Sequence, residues 1–114
     1  MCVTGAAGNI AYAFIPLLLT GQVFGEKQVD LRLLDIPQCE EVLKGVIMEI
    51  EDGGYTRLAK VSSGSDPLLA FKDVDVIVFL GGFPRKPGME RRDLLHKNKD
   101  IFMAQGKALE VANP

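Results

Sequence analysis

A short apolar run, residues 1–4, breaks at Gly5-Ala6-Ala7-Gly8-Asn9-Ile10-Ala11 and gives way to a helix-length apolar stretch, residues 9–20. No other feature limits the fold so strongly. A strand that turns through small residues straight into a helix leaves backbone N–H groups pointing out of the helix start, where the dipole adds about half a positive charge. A pyrophosphate fits such a place only when no side chain blocks the backbone. Gly5 permits the tight turn, Gly8 permits close approach, and Ala11 lets the helix pack against the sheet. The spacing G-x-x-G-x-x-A is a variant of the dinucleotide-binding fingerprint rather than its strict form. Gly5, Ala6, Ala7, Gly8, Asn9, Ile10 and Ala11 are therefore the candidate cofactor-binding turn.

A dinucleotide fold places an acidic residue about twenty positions further on. Here Asp35 closes the strand-like run Val29–Leu34. Its carboxylate would accept hydrogen bonds from the adenosine ribose hydroxyls and repel a 2′-phosphate. Ile36 follows, and no Arg or Lys comes directly after Asp35 to receive that phosphate, which favours NAD over NADP. Without the glycines, Asp35 before Ile36-Pro37 would read as a strand-end turn residue.

The remaining chain alternates between the two periods. Residues 21–28 read as a loop. Glu40–Asp52 carries Val42, Leu43, Val46, Ile47 and Ile50 at helical spacing and stops at Gly53-Gly54. Residues 59–63 read as a short strand and Pro67–Phe71 as a helical turn. The continuous apolar run 75–80 predicts a parallel strand buried on both faces. Residues 81–90 form a loop rich in Gly, Pro and charge, and Arg91–Val111 is a long helix with apolar Leu94, Leu95, Ile101, Phe102, Ala108 and Leu109. Alternating strands and helices predict an α/β fold, a doubly wound parallel sheet with right-handed crossovers. Pro16 lies mid-helix, where it should remove a hydrogen bond and kink the axis.

Composition narrows the function. With 114 residues, 47% hydrophobic and 25% charged, the chain suits one domain or part of one. The net charge of −2 argues against nucleic-acid or membrane-surface partners. The apolar stretch 11–19 is too short to cross a bilayer and contains Pro16. The N-terminus lacks the basic-then-apolar order of a signal peptide. Cys2 and Cys39 lie far apart without C-x-x-C spacing, and His96 is the single histidine. No metal site or disulfide is expected, and a reducing cytoplasm fits.

Ligands of open α/β sheets bind beyond the carboxyl ends of the strands. The loop after residues 75–80 belongs at that edge. Gly81 and Gly82 would let backbone approach a cofactor. Arg85 lies between Pro84 and Pro87-Gly88, as on a stiff-ended loop that can close as a lid. Arg91 opens the next helix, where a positive side chain opposes the dipole, so its placement suggests a reason other than helix stability. Two guanidiniums separated by a short loop suit a small dianion, because each can fork onto a carboxylate.

The runs VTGAAGNIAYA, LLDI, FLGGFPRKPGMERRDLL and NKDIFMAQGKAL resemble the N-terminal half of malate dehydrogenases, the cytosolic-type branch of the lactate/malate dehydrogenase family. The resemblance covers nearly all of the chain. It implies a Rossmann fold, NAD as cofactor, and reversible oxidation of malate to oxaloacetate in a homodimer, a step of the tricarboxylic acid cycle. It also implies that residues 5–11 form the pyrophosphate loop and that Asp35 holds the adenosine ribose. Arg85 resembles the discriminating arginine that binds the distal carboxylate, where lactate-specific relatives carry a neutral residue. Arg91 resembles the second substrate arginine. Asn98 and Gln105 resemble positions touching the cofactor; read without the family, each is an exposed helix amide.

The family's catalytic His–Asp pair and third arginine have no counterpart here, and His96 does not match the catalytic motif, so it reads as a surface or satisfied helical residue. The whole chain, residues 1–114, is expected to be the dinucleotide-binding domain of a longer enzyme, an incomplete sheet whose next strand would begin after Pro114 and whose catalytic domain lies elsewhere. Three alternatives are weighed. A short-chain or epimerase-type enzyme needs a Tyr-x-x-x-Lys pair, but Tyr12 is followed by Pro16 and Tyr55 by Ala59. A non-catalytic nucleotide sensor leaves the arginine loop unexplained. Lactate dehydrogenase remains the near alternative.

Overall fold

The structure, a computed structural model, describes residues 1–83 and 86–112. In chain order it forms β1 (Cys2–Thr4), α1 (Asn9–Leu19), β2 (Val29–Leu34), α2 (Glu40–Asp52), β3 (Leu58–Gly64), α3 (Pro67–Phe71), β4 (Ile77–Phe79) and α4 (Arg91–Val111). A 3₁₀ turn, Pro37–Cys39, leads into α2. Among the described residues the strands make one four-stranded parallel sheet in the order β3-β2-β1-β4. The chain moves outward from β1 through β2 to β3, then returns to set β4 on the other side of β1. That reversal opens a crevice beyond the carboxyl ends of β1 and β4, where open α/β sheets take their ligands. This is the Rossmann-like arrangement that the alternation of elements predicts.

The two-residue period of the strands sorts the core into two layers. Val3 of β1 and Val29, Leu31 and Leu33 of β2 face α1 and α2, where they meet Ala11, Ile15, Leu18, Leu43 and Ile50. Cys2 and Leu34 face the opposite side and meet Phe71, Val74 and Ala108. Arg32 is on that second face, and its guanidinium donates to the carbonyls of Ala70 (3.1 Å) and Lys72 at the end of α3. β2 thus carries a cation on its second face because helix-end carbonyls receive it. α3 is short but well started, with Pro67 in its first turn and the Asp66 carboxylate accepting the Leu68 N–H at 3.0 Å.

One expectation is corrected. Residues 75–80 do not form a strand buried on both faces: β4 is limited to Ile77–Phe79, and Phe79 is 43% exposed. β4 pairs with β1 alone and is the edge of the described sheet, so one flank lacks the cover that buries β1 completely. Pro16 lies inside α1 and, having no N–H, leaves one helix bond unmade, as expected. α1 runs continuously past it to Leu19, and the Pro16 carbonyl accepts both the N–H and the hydroxyl of Thr20 at 3.1 and 2.8 Å.

Candidate cofactor and substrate crevice

The glycine turn lies at the carboxyl end of β1, as the crevice requires. Gly5 has φ +64°, a conformation that costs little only for glycine. A Cβ on Gly5 would lie 2.5 Å from the Gly81 Cα, so no larger residue fits. The Gly8 N–H donates to the Gly5 carbonyl at 3.0 Å and closes the turn. A Cβ on Gly8 would crowd that same carbonyl at 3.2 Å. Ala6 and Ala11 are buried, Ala11 completely, which seats α1 on the sheet. Gly8 is the N-cap of α1 with no side-chain capping bond. The amides of Asn9 and Ile10 therefore open the helix without a capping side chain, and Ile10 is 69% exposed. An uncapped helix start behind a bare turn suits a diphosphate.

Asp35 stands at the end of β2 and does more than face a sugar. Its Oδ2 accepts the Ala7 N–H at 2.9 Å and its Oδ1 accepts the Ile36 N–H at 2.8 Å. The carboxylate thus ties the glycine turn to β2, a link invisible in the sequence. A carboxylate has about four acceptor sites, so each oxygen keeps capacity for a ribose hydroxyl. The Cys39 thiol lies near this carboxylate. Its pKa is pushed up, first by burial and then by the Asp35 charge, which keeps it a neutral thiol beside the site.

The other wall is the exit from β4. Gly81 meets the glycine turn itself. It packs against Gly5, and a Cβ on Gly81 would lie 2.9 Å from the Gly5 N. Gly82 likewise faces the Asn98 side chain, 3.3 Å from where a Cβ would be. Asn98 is half-buried and accepts the Phe83 N–H at 2.7 Å. Gln105, two turns further along α4, is buried, and its Oε1 has no hydrogen-bond partner among the described residues. Neither amide is an exposed helix residue. An unmatched buried carbonyl costs about 1–3 kcal/mol, so Gln105 is set to receive a donor.

Arg91 is exposed at the first position of α4 and has no ion pair among the described residues. The dipole that it opposes is met by Glu90 and Asp93, which form a reciprocal capping box. Arg85 lies outside the described residues. His96 is exposed on α4. A separate cleft of about 440 Å³ lies between α1 and α2, lined by Tyr12, Glu49 and Tyr55 among others, and holds none of the glycine-turn residues. The Glu49 carboxylate beside the Tyr12 hydroxyl pushes its pKa up. No described helix is long and apolar enough to cross a membrane.

Comparison with known proteins agrees with this geometry. The model of the lactate/malate dehydrogenase NAD-binding domain matches residues 1–114. A malate dehydrogenase from Naegleria fowleri is 41% identical, with a TM-score of 0.93 over 98% of this chain and 35% of that one. A lactate dehydrogenase from Trichomonas vaginalis, solved with NADH and oxamate, is 39% identical, with a TM-score of 0.89 over 99% of this chain and 34% of that one. A malate dehydrogenase from Picrophilus torridus is 30% identical, with a TM-score of 0.63 over 96% of this chain and 33% of that one. The chain spans about a third of the length of the solved structures it matches. A bare glycine turn at a helix start, an acidic residue at the end of β2 and a match along the whole sequence lead to one assignment: the chain belongs to the lactate/malate dehydrogenase family, as its NAD-binding domain.

Proposed function

We propose that this chain is the NAD-binding portion of a malate dehydrogenase, and that the full-length protein interconverts malate and oxaloacetate. When bound, NAD supplies the acceptor for the hydride of malate, and its reduced form supplies the donor for oxaloacetate. This chain's own residues bind and orient. Residues 5–11 would hold the pyrophosphate on the α1 N-terminus, and Asp35 would take the adenosine ribose hydroxyls while disfavouring a 2′-phosphate. Asn98 and Gln105 would contact the cofactor from α4. Arg85 would pair with the distal carboxylate, and Arg91 would add a second cation at the start of α4. The acid–base pair would come from outside residues 1–114, because a general base must reach the substrate hydroxyl and His96 does not match the family's catalytic motif. The family resemblance also supports a cytoplasmic homodimer working in the tricarboxylic acid cycle.

The observation that carries the malate reading is Arg85 in the sequence that follows β4, between Pro84 and Pro87-Gly88. Lactate dehydrogenase is the second reading, favoured by the 39% identity to the Trichomonas vaginalis enzyme. The test is Arg85→Gln in the full-length protein. Charge-assisted hydrogen bonds are worth about 1.5–3 kcal/mol, so kcat/KM for oxaloacetate should fall about 10- to 100-fold. The value for pyruvate should fall less or rise. Equal losses on both substrates would remove Arg85 as the discriminator.

A further inference from the structure

The cofactor turn and the root of the substrate loop are fastened to each other. Thr4 is completely buried at the end of β1. Its Oγ1 accepts two backbone N–H groups as the chain leaves β4, from Leu80 at 3.1 Å and Gly81 at 3.2 Å. The next residue, Gly5, touches Gly81 backbone to backbone. Two residues beyond Gly81, the Phe83 N–H is held by Asn98 of α4. The Phe83 ring has the Lys97 ammonium of α4 at 5.7 Å and that of Lys86 at 5.5 Å. Residues 80–83 are thus pinned on one side to β1 and on the other to α4.

A hydroxyl buried in an otherwise apolar strand is costly unless its hydrogen bonds are used. Valine has the same shape and suits a strand equally well, so the oxygen is what distinguishes Thr4. We propose that Thr4 is a positioning residue that locks the substrate-loop root to the cofactor turn, so that NAD and the dicarboxylate are oriented by one rigid corner. This rests on the function proposed above. Thr4 is completely buried and would act through Gly5 and Gly81.

The test uses the full-length protein with Thr4→Val and Thr4→Ser, assayed well below the unfolding midpoint of each. Thr4→Val should raise KM for NADH and for oxaloacetate together and lower kcat about tenfold, since misplacement by about 1 Å can cost up to 100-fold. Thr4→Ser keeps the acceptor and should restore all three. A merely structural role would lower the midpoint and leave both KM values unchanged; that result, or a change confined to one ligand, overturns the proposal. Hydrogen exchange on the unaltered protein decides the matter even if Thr4→Val does not fold. NADH should protect the Leu80 and Gly81 amides together with those of residues 5–8, and protection of residues 5–8 alone would overturn the proposal. Failure of the unaltered protein to reduce oxaloacetate would remove the proposed function, while the exchange result would still decide the role of Thr4.

Discussion

Replacing Gly5 with alanine separates two costs that glycine avoids at this turn. The first is conformational: at φ +64° a side chain costs about 1–2 kcal/mol. The second is spatial. The new Cβ would lie 2.5 Å from the Gly81 Cα, and ordinary contact begins near 3.4 Å, so turn and loop root must part by 3.4 − 2.5 = 0.9 Å. Such a shift would stretch the Thr4 bonds to Leu80 and Gly81, now 3.1 and 3.2 Å, beyond useful length. Two lost hydrogen bonds add about 2 kcal/mol, for a total of about 3–4 kcal/mol. Gly25 provides the control: its φ is +65° and a Cβ there meets nothing within 4 Å. Gly25→Ala should therefore show only the conformational cost, about 1–2 kcal/mol. Urea unfolding of both variants with an unchanged m-value reads the difference directly. NADH titration should show weakening by up to about 100-fold for Gly5→Ala and none for Gly25→Ala. If the two variants are equally stable and bind NADH equally, the argument for contact between turn and loop root fails.

Asp35→Asn keeps an acceptor for the Ala7 N–H but removes the charge at the end of β2. The affinity for NADPH relative to NADH should rise about tenfold or more, and an unchanged ratio would show that Asp35 does not exclude the 2′-phosphate. Burial pushes the Cys2 thiol up to about 11 from its ordinary 9.0. The folded value exceeds the unfolded one, so the stabilising contribution of the neutral thiol is complete below pH 9 and is lost as pH rises toward 11. Unfolding free energy should fall by up to about 2–3 kcal/mol across that window, and Cys2→Ala should flatten the decline.

Much of this protein is legible in its local sequence. The small residues at 5–11, the apolar period of β2 and the helical spacing of Glu40–Asp52 each describe neighbours along the chain. Local geometry alone accounts for them: small residues for a tight turn, a period of two for strands, 3.6 for helices. Asp35 and the arginine loop could be marked as chemistry because their types and placement beside those elements are unusual.

What escaped the sequence is contact between segments distant in the chain. Thr4 reads as the last residue of an apolar strand until folding brings the amides of Leu80 and Gly81, 76 and 77 residues away, onto its hydroxyl. Gly81 reads as an ordinary loop glycine until folding sets it backbone to backbone against Gly5. Asn98 and Gln105 read as surface amides until α4 turns them inward. Composition and period decide which elements form and which of their faces are apolar. Only the parallel order β3-β2-β1-β4 decides which elements meet, because pairing depends on register and crossover rather than on any residue's immediate neighbours.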